Sequence, residues 1–99
     1  MRVLLVSRID SRDALAFTGT IKSVIEQEGS EAVFEKDTAK SLGVAGCTIS
    51  ESGADAVIVV GGDGTILRTI QKMDRPIPVI GINWGEVGFL ADLEPSGAL

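Results

Sequence analysis

The segment that most limits what this chain can fold into is residues 55–65, DAVIVVGGDGT. The apolar run of residues 56–60 has no polar alternation, so a strand formed there has no face suited to water. Strands of that kind lie inside parallel sheets that carry helices on both faces, which points to an α/β chain. From Thr65 the period changes to that of a helix. Ile66, Leu67, Ile70 and Met73 fall on one arc, Arg68 and Lys72 lie opposite, and Thr65 sits nearer the basic side. A buried strand therefore runs into a helix through three glycines and a single aspartate.

The rest of the chain agrees with that class. RVLLV (2–6) is too short for a core helix and reads as a buried strand. From Asp10 or Ser11, either of which can cap a helix, Ala14, Phe17, Ile21, Val24 and Ile25 share one helical face, and Gly29 supplies a stop. EAVFE (31–35) reads as a strand nearer the sheet edge. Residues 36–54 lack a sustained period and read as a loop with one or two short helical turns. RPIPVIGIN (75–83) returns to a strand with prolines at its entry, and ADLEPSGAL (91–99) reads as a loop entering a helix, with Pro95 in the first turn. This order predicts one α/β domain over residues 1–99, a Rossmann-like parallel sheet with helices on both faces. An end on an apolar residue one turn into a helix leads us to expect a piece of a longer protein.

Composition narrows the chemistry. A net charge of −5 with nine scattered basic residues argues against nucleic acid or an anionic membrane as the main partner, so an anionic ligand must be held locally. No apolar run approaches the roughly 20 residues of a membrane span, and MRVLLVSRID is too short for the apolar region of a signal peptide. A soluble, cytoplasmic chain is expected. Cys47 is the only cysteine and is assigned to packing. There is no histidine and no tyrosine, so acid–base work falls to carboxylates.

Gly61, Gly62 and Gly64 permit positive φ and let a ligand approach the backbone. Between a strand's carboxyl end and a helix's amino end, their N–H groups and the helix dipole make a site for phosphate. Known phosphate motifs do not fit: the Lys-Ser/Thr pair of the P-loop is missing, and Leu67 occupies the third glycine position of the dinucleotide fingerprint. A calcium loop is excluded by Leu67 at a ligand position. Asp63 would repel a bound phosphate by about 1 kcal/mol or more at contact distance. It therefore meets either a divalent metal that also binds the phosphates or a hydroxyl that attacks a phosphoryl group. The simpler alternative is a tight turn in which Asp63 caps the helix. Arg68, one turn past Thr65, is in reach of the helix N-terminus or is a solvated surface residue.

GGDGT (61–65) followed by GINWGEVGFL (81–90) resembles the amino-terminal domain of the NAD kinase family. The first motif is shared with diacylglycerol and sphingosine lipid kinases and with phosphofructokinases, whereas the second is much more specific to NAD kinases. The resemblance spans essentially the whole chain, with the distinctive motifs in residues 55–94. It implies transfer of a phosphoryl group from ATP, or polyphosphate, to the 2′-hydroxyl of the adenosine ribose of NAD, with a divalent metal such as Mg. Asp63 would be the base, and no residue is assigned as a metal ligand. Gly64 would approach NAD by its backbone, with Gly61, Gly62 and Thr65 in the same nucleotide-binding turn. Arg68 would help hold the nucleotide and Phe89 would pack near adenine, while Asn83 would shape the binding loop.

Relatives of this kind are more than twice as long, and a β-rich carboxyl-terminal domain absent from this chain supplies much of their NAD pocket. The segment alone is therefore expected to be inactive or nearly so, and the full-length form to be a homo-oligomer. Trp84 stands where many relatives have a smaller or polar residue; it covers the nucleotide or simply packs. The alternative of a lipid kinase would leave GINWGEVGFL unexplained and is disfavoured because this sequence shows no basic amphipathic stretch for a membrane surface; a non-catalytic nucleotide-binding module would keep the turn for structure only.

Overall fold

The computed structural model describes residues 1–84. Four strands, β1 (Arg2–Ser7), β2 (Glu31–Phe34), β3 (Ala56–Gly61) and β4 (Val79–Asn83), form one sheet in the order β2-β1-β3-β4. All three pairings are parallel. Helices α1 (Arg12–Gln27), α2 (Lys36–Leu42) and α3 (Asp63–Gln71) connect them. The Rossmann-like α/β class expected from the apolar run at 56–60 is the class observed.

The sheet separates two apolar layers. On one face Val3, Leu5, Val60 and Ile82 pack with Ala14 and Ile21 of α1 and Ala39 of α2. On the other, Leu4, Val6, Val57 and Val59 meet Ile66 of α3, together with Ile49 and Ala54 from the connection before β3. Successive residues of β1 and β3 thus alternate between two cores, which is why neither strand shows a polar position.

Ser11, the second of the two candidate caps, begins α1: its hydroxyl accepts from the Ala14 N–H, and Asp13 lies in the first turn. The helix closes before Gly29, whose φ of 87° is the left-handed conformation that ends helices. One residue of its expected buried face differs: Val24 is 42% exposed, while Leu15 and Thr18 are buried.

Residues 36–54 are more ordered than their composition suggests. Glu35 is not the end of β2 but the cap of α2, accepting from the N–H groups of Asp37 and Thr38. Gly43, at φ 72°, ends that helix. Thr38 ties it to the sheet, its buried hydroxyl accepting the Ser7 N–H at 2.9 Å and donating to Glu35 at 3.1 Å. Beyond α2 the chain returns to the β2 edge, where Cys47 and Glu35 form a parallel bridge. Cys47 is half-buried, and burial pushes its thiol up from the ordinary value, with Glu51 adding to the effect, in keeping with a packing residue. β4 begins only at Val79, because Pro76 and Pro78 have no N–H to give to a ladder. The segment 91–99, expected to enter a helix, lies outside the described residues.

Gly46 makes this chain path possible. A Cβ there would lie 2.4 Å from Ala39 Cβ and 2.9 Å from the Phe34 carbonyl oxygen. Gly46→Ala is therefore expected to lower unfolding free energy by about 1–3 kcal/mol in urea denaturation, as overpacked substitutions do. Gly19, mid-helix with no atom within 4 Å of the place a Cβ would take, gives the opposite sign: Gly19→Ala should stabilise by about 0.5–1 kcal/mol.

Candidate functional site

Because all strands are parallel, Ser7, Phe34, Gly61 and Asn83 end at one edge of the sheet. The chain leaves β1 toward β2 and leaves β3 toward β4, so the order reverses between β1 and β3. Open α/β sheets bind ligands in the crevice at such a point. Here it is formed by residues 7–10 after β1 and by the glycine turn after β3.

The turn differs from expectation in its backbone. Positive φ occurs at Gly29, Gly43 and Gly53, and at none of the glycines of the turn; Gly62 has φ −108°. What the turn requires at Gly61 is closeness: a Cβ would lie 2.9 Å from Thr65 Oγ1 and 3.0 Å from Thr65 Cβ. Helix α3 thus rests directly on the end of β3. At Gly64 nothing lies within 4 Å of the Cβ position, so open space faces that backbone.

Helix α3 starts at Asp63, within the glycine turn where the sequence places the passage from strand to helix, with Gly62 as a cap that offers no side chain. Thr65 and Ile66 donate their N–H groups to the Gly62 carbonyl. The N–H groups of Asp63 and Gly64 have no partner among the described residues and are open to an anion. Asp63 is exposed, and among the described residues no hydrogen bond or ion pair holds its carboxylate. The reading of Asp63 as a helix cap is therefore not what the structure shows.

The packed face of α3 also needs correction. Thr65 and Thr69 are buried, whereas Leu67 and Ile70, expected in the core, are 57% and 48% exposed. Small threonines let the helix approach the sheet, and Ile66 and Met73 of the predicted arc do pack there. Ile66 fits over Gly81, where a Cβ would lie 2.6 Å from its Cδ1. Beside this seam is a cleft of about 140 Å³ lined by Ser7, Glu35, Thr65, Arg68, Thr69 and Lys72. Arg68 and Lys72 bring positive charge to a protein that is acidic as a whole. Lys72 Nζ lies 3.9 Å from Asp37 Oδ2, a loose pairing between exposed groups.

The described residues match, together with most of the chain, the family described as ATP-NAD kinase N-terminal domain, over residues 1–98. The chain belongs to that family. It is 51% identical over 98 residues to the NAD kinase of Methanoculleus marisnigri, covering 99% of this chain and 36% of the relative. Identity to the NAD kinase of Methanoregula boonei is 52% over 98 residues, with the same coverage of 99% and 36%. Among solved structures it resembles an NAD kinase from Archaeoglobus fulgidus in complex with ATP, at a TM-score of 0.63 and 27% identity, covering 97% of this chain and 33% of that one. The chain thus spans about a third of the length of the NAD kinases it matches.

Within this NAD kinase domain, Gly61, Gly62, Asp63, Gly64 and Thr65 form one continuous turn, and Arg68 borders the adjoining cleft. Asn83 pairs with Gly61 across the β3–β4 ladder, and its Oδ1 is buried with no hydrogen-bond partner among the described residues. A buried acceptor left so costs about 1–3 kcal/mol, which marks the position as one that a donor would satisfy. Phe89 lies outside the described residues. Trp84 stacks on Phe17 of α1 with ring centroids 4.9 Å apart, so its ring packs against that helix.

Sequence reasoning passed over Arg8. Its N–H bonds the Val60 carbonyl, its Cβ adjoins Gly61, and its Nη1 donates to the Trp84 carbonyl at 3.1 Å. The side chain therefore reaches across the end of β3 to the end of β4. Its Nε and Nη2 donate to the two carboxylate oxygens of Asp10 at 2.7 and 2.9 Å. Arg8 holds the Asp10 carboxyl down to about 2, chiefly through those hydrogen bonds, with Arg68 adding a smaller attraction. The only sequence signal for it was an Arg-x-Asp spacing just past a buried strand.

Because the folded value is depressed, the Arg8–Asp10 pair favours the folded state above the ordinary aspartate range and loses that effect as pH falls toward 2. Carboxyl titration by NMR should show Asp10 protonating near 2, and returning toward the ordinary value near 4 in Arg8→Gln. An unchanged midpoint in that variant would remove Arg8 as the cause. Separately, Gly64→Ala should leave the melting temperature equal or higher, since its methyl meets only open space, yet weaken ATP or NAD binding by about tenfold or more if either ligand lies on that backbone.

Proposed function

We propose that the complete protein is an NAD kinase that transfers the terminal phosphoryl group of ATP to the 2′-hydroxyl of the adenosine ribose of NAD. The observation that carries this reading is Asp63: an exposed carboxylate without a partner among the described residues, in the first turn of α3, between open backbone N–H groups and beside the open face of Gly64. The belonging of the chain to the ATP-NAD kinase N-terminal domain family supports it. So does the ATP in the related Archaeoglobus fulgidus structure.

In this mechanism the N–H groups of the turn and the positive end of α3 hold the nucleotide phosphates, with Arg68 adding charge from the cleft. Asp63 orients the ribose hydroxyl and takes its proton as the new oxygen–phosphorus bond forms and the bond from the terminal phosphorus to ADP breaks. The transition state of such transfers is loose, so the proton moves late and an ordinary carboxylate suffices as base. Asn83, paired with Gly61 across the β3–β4 ladder, shapes the binding loop at the end of β4.

A divalent cation such as Mg fits this arrangement as a companion of the phosphates. Among the described residues no group of three or more His, Cys, Asp or Glu comes together to hold a metal. Magnesium keeps several waters and is commonly held through substrate phosphates, so here the ion would be carried by the nucleotide and Asp63 would stay free for the hydroxyl. When bound, the ion would neutralise charge on the phosphates.

We infer further that residues 1–99 are the amino-terminal nucleotide-binding domain, inactive alone, of a cytoplasmic homo-oligomer. Among the described residues no helix is long and apolar enough to cross a membrane.

Asp63→Asn keeps the shape of the side chain and removes its basicity. In the complete protein, ATP-dependent NADP formation should fall by about a hundredfold or more in kcat, with little change in nucleotide affinity. Unchanged turnover would reject Asp63 as base, and a parent protein that forms no NADP from ATP and NAD would reject the kinase reading.

A further inference from the structure

Trp84, the first residue past β4, is held by its N–H, its ring and its carbonyl. The N–H donates to the Gly61 carbonyl at 3.2 Å, the ring stacks on Phe17 of α1, and the carbonyl accepts from Arg8 Nη1 at 3.1 Å. The first two contacts are ordinary for a chain leaving a sheet beside a neighbouring strand and a helix. The last comes from the end of β1, a strand that β3 separates from β4. The Arg8 side chain spans that width.

Arg8 is anchored for the task. Its N–H bonds the Val60 carbonyl at 2.8 Å, and its Cβ lies 3.4 Å from the place a Cβ of Gly61 would take. Its Nε and Nη2 hold the two Asp10 carboxylate oxygens, which fixes the plane of the guanidinium while Nη1 meets Trp84. One residue thus touches the ends of β1, β3 and β4. A lysine has no planar fork with which to hold a carboxylate on one side and a carbonyl on the other.

The tie bears on the glycine turn. The Gly61 carbonyl takes the Trp84 N–H, and only Gly62 stands between Gly61 and Asp63, so a shift of Trp84 passes to the peptide that leads into α3. Reacting groups need placement to within about 0.5 Å, and a misplacement of about 1 Å can cost about a hundredfold in rate.

We propose that Arg8 is a positioning residue of the crevice: through the Trp84 carbonyl it fixes the exit of β4 against the glycine turn, and so fixes where Asp63 stands relative to a bound nucleotide. Arg8 acts through protein groups and needs no contact with the ligand. This rests on the reading that the crevice takes nucleotides and that Asp63 is the base.

The test compares the complete protein with Arg8→Gln and Arg8→Lys by amide hydrogen exchange, melting temperature and steady-state NADP formation. In both variants the Trp84 amide should exchange faster by about tenfold or more, the effect of losing a charge-assisted bond, while the amides of Leu5 and Val59 inside the sheet keep their rates. The melting temperature should fall by no more than about 4 °C, since the Asp10 side of the network is exposed. Turnover, kcat, should fall by about tenfold or more, with KM for ATP and NAD changing by less than about threefold.

Unchanged exchange at Trp84 overturns the proposal, because the carbonyl bond then holds nothing in place. Faster exchange throughout the sheet with a large loss of melting temperature overturns it as well, Arg8 being then a general support of the fold. So does faster exchange at Trp84 with kcat intact, whether or not KM rises: a raised KM would mean that Arg8 meets the ligand itself. Recovery of both exchange and kcat in Arg8→Lys rejects the fork as the cause. A parent protein that forms no NADP rejects the kinase reading, and the exchange rates alone then decide whether Arg8 ties β1 to the exit of β4.

Discussion

The site depends on one contact, the seating of Thr65 on Gly61. With no side chain at Gly61, the first turn of α3 meets the end of β3 at backbone distance. That closeness places the open N–H groups of the helix at the carboxyl edge of the sheet, where the order of strands reverses. The same approach explains the buried threonine seam: Thr65 and Thr69 are small enough to sit between helix and sheet, and Thr69 satisfies its hydroxyl on the Thr65 carbonyl at 2.8 Å. A larger apolar seam would bury more area, by about 0.8 kcal/mol for each added methylene, but would lift the helix from the strand. Position is thus set ahead of core burial at this junction.

A second consequence concerns charge. An acidic chain cannot attract a polyanion by its overall field, so attraction has to be local. The structure gathers it from three sources at one edge: the amino end of α3, the Arg8 side chain lying across β3, and Arg68 with Lys72 along the cleft. Part of this charge is met by Asp10 and Asp37 in exposed pairings that water already weakens.

The legibility of the sequence followed the strength of its periods. Unalternating apolar runs at β1 and β3 identified a parallel sheet covered on both faces, because nothing but two-sided burial explains them. Ser11 and Gly29 marked the ends of α1 through local chemistry that needs no tertiary contact. Residues 36–54 failed for the opposite reason: α2 is only seven residues long and is held by Thr38 bonding to Ser7, a contact 31 positions away in the chain. The exposure of Leu67 and Ile70 was hidden too, since an apolar arc normally marks the buried face and only the Gly61–Thr65 approach reverses it. In the crevice, the glycine turn could be read from composition, but not the reason for its glycines. Arg8 could not be read at all, because its direction depends on how β1, β3 and β4 come to lie side by side.

The spacing of charges along α3 also accounts for the state of Asp63, which has no partner among the described residues. On a helix a carboxylate pairs readily with a cation three or four positions on, and those places hold Ile66 and Leu67. The first cation, Arg68, is five positions on, roughly 140° around the axis, and it lines the cleft with Thr65, Thr69 and Lys72. An arginine one residue earlier would neutralise the carboxylate and compete with any hydroxyl for its lone pairs. The exposed Leu67 is therefore informative: although poorly placed for the core of the described residues, it keeps a cation away from the acid. Asp63 retains its favourable place against the helix dipole without pairing along its own helix, so a single short helix offers anion-binding groups on one face and an accessible carboxylate on another.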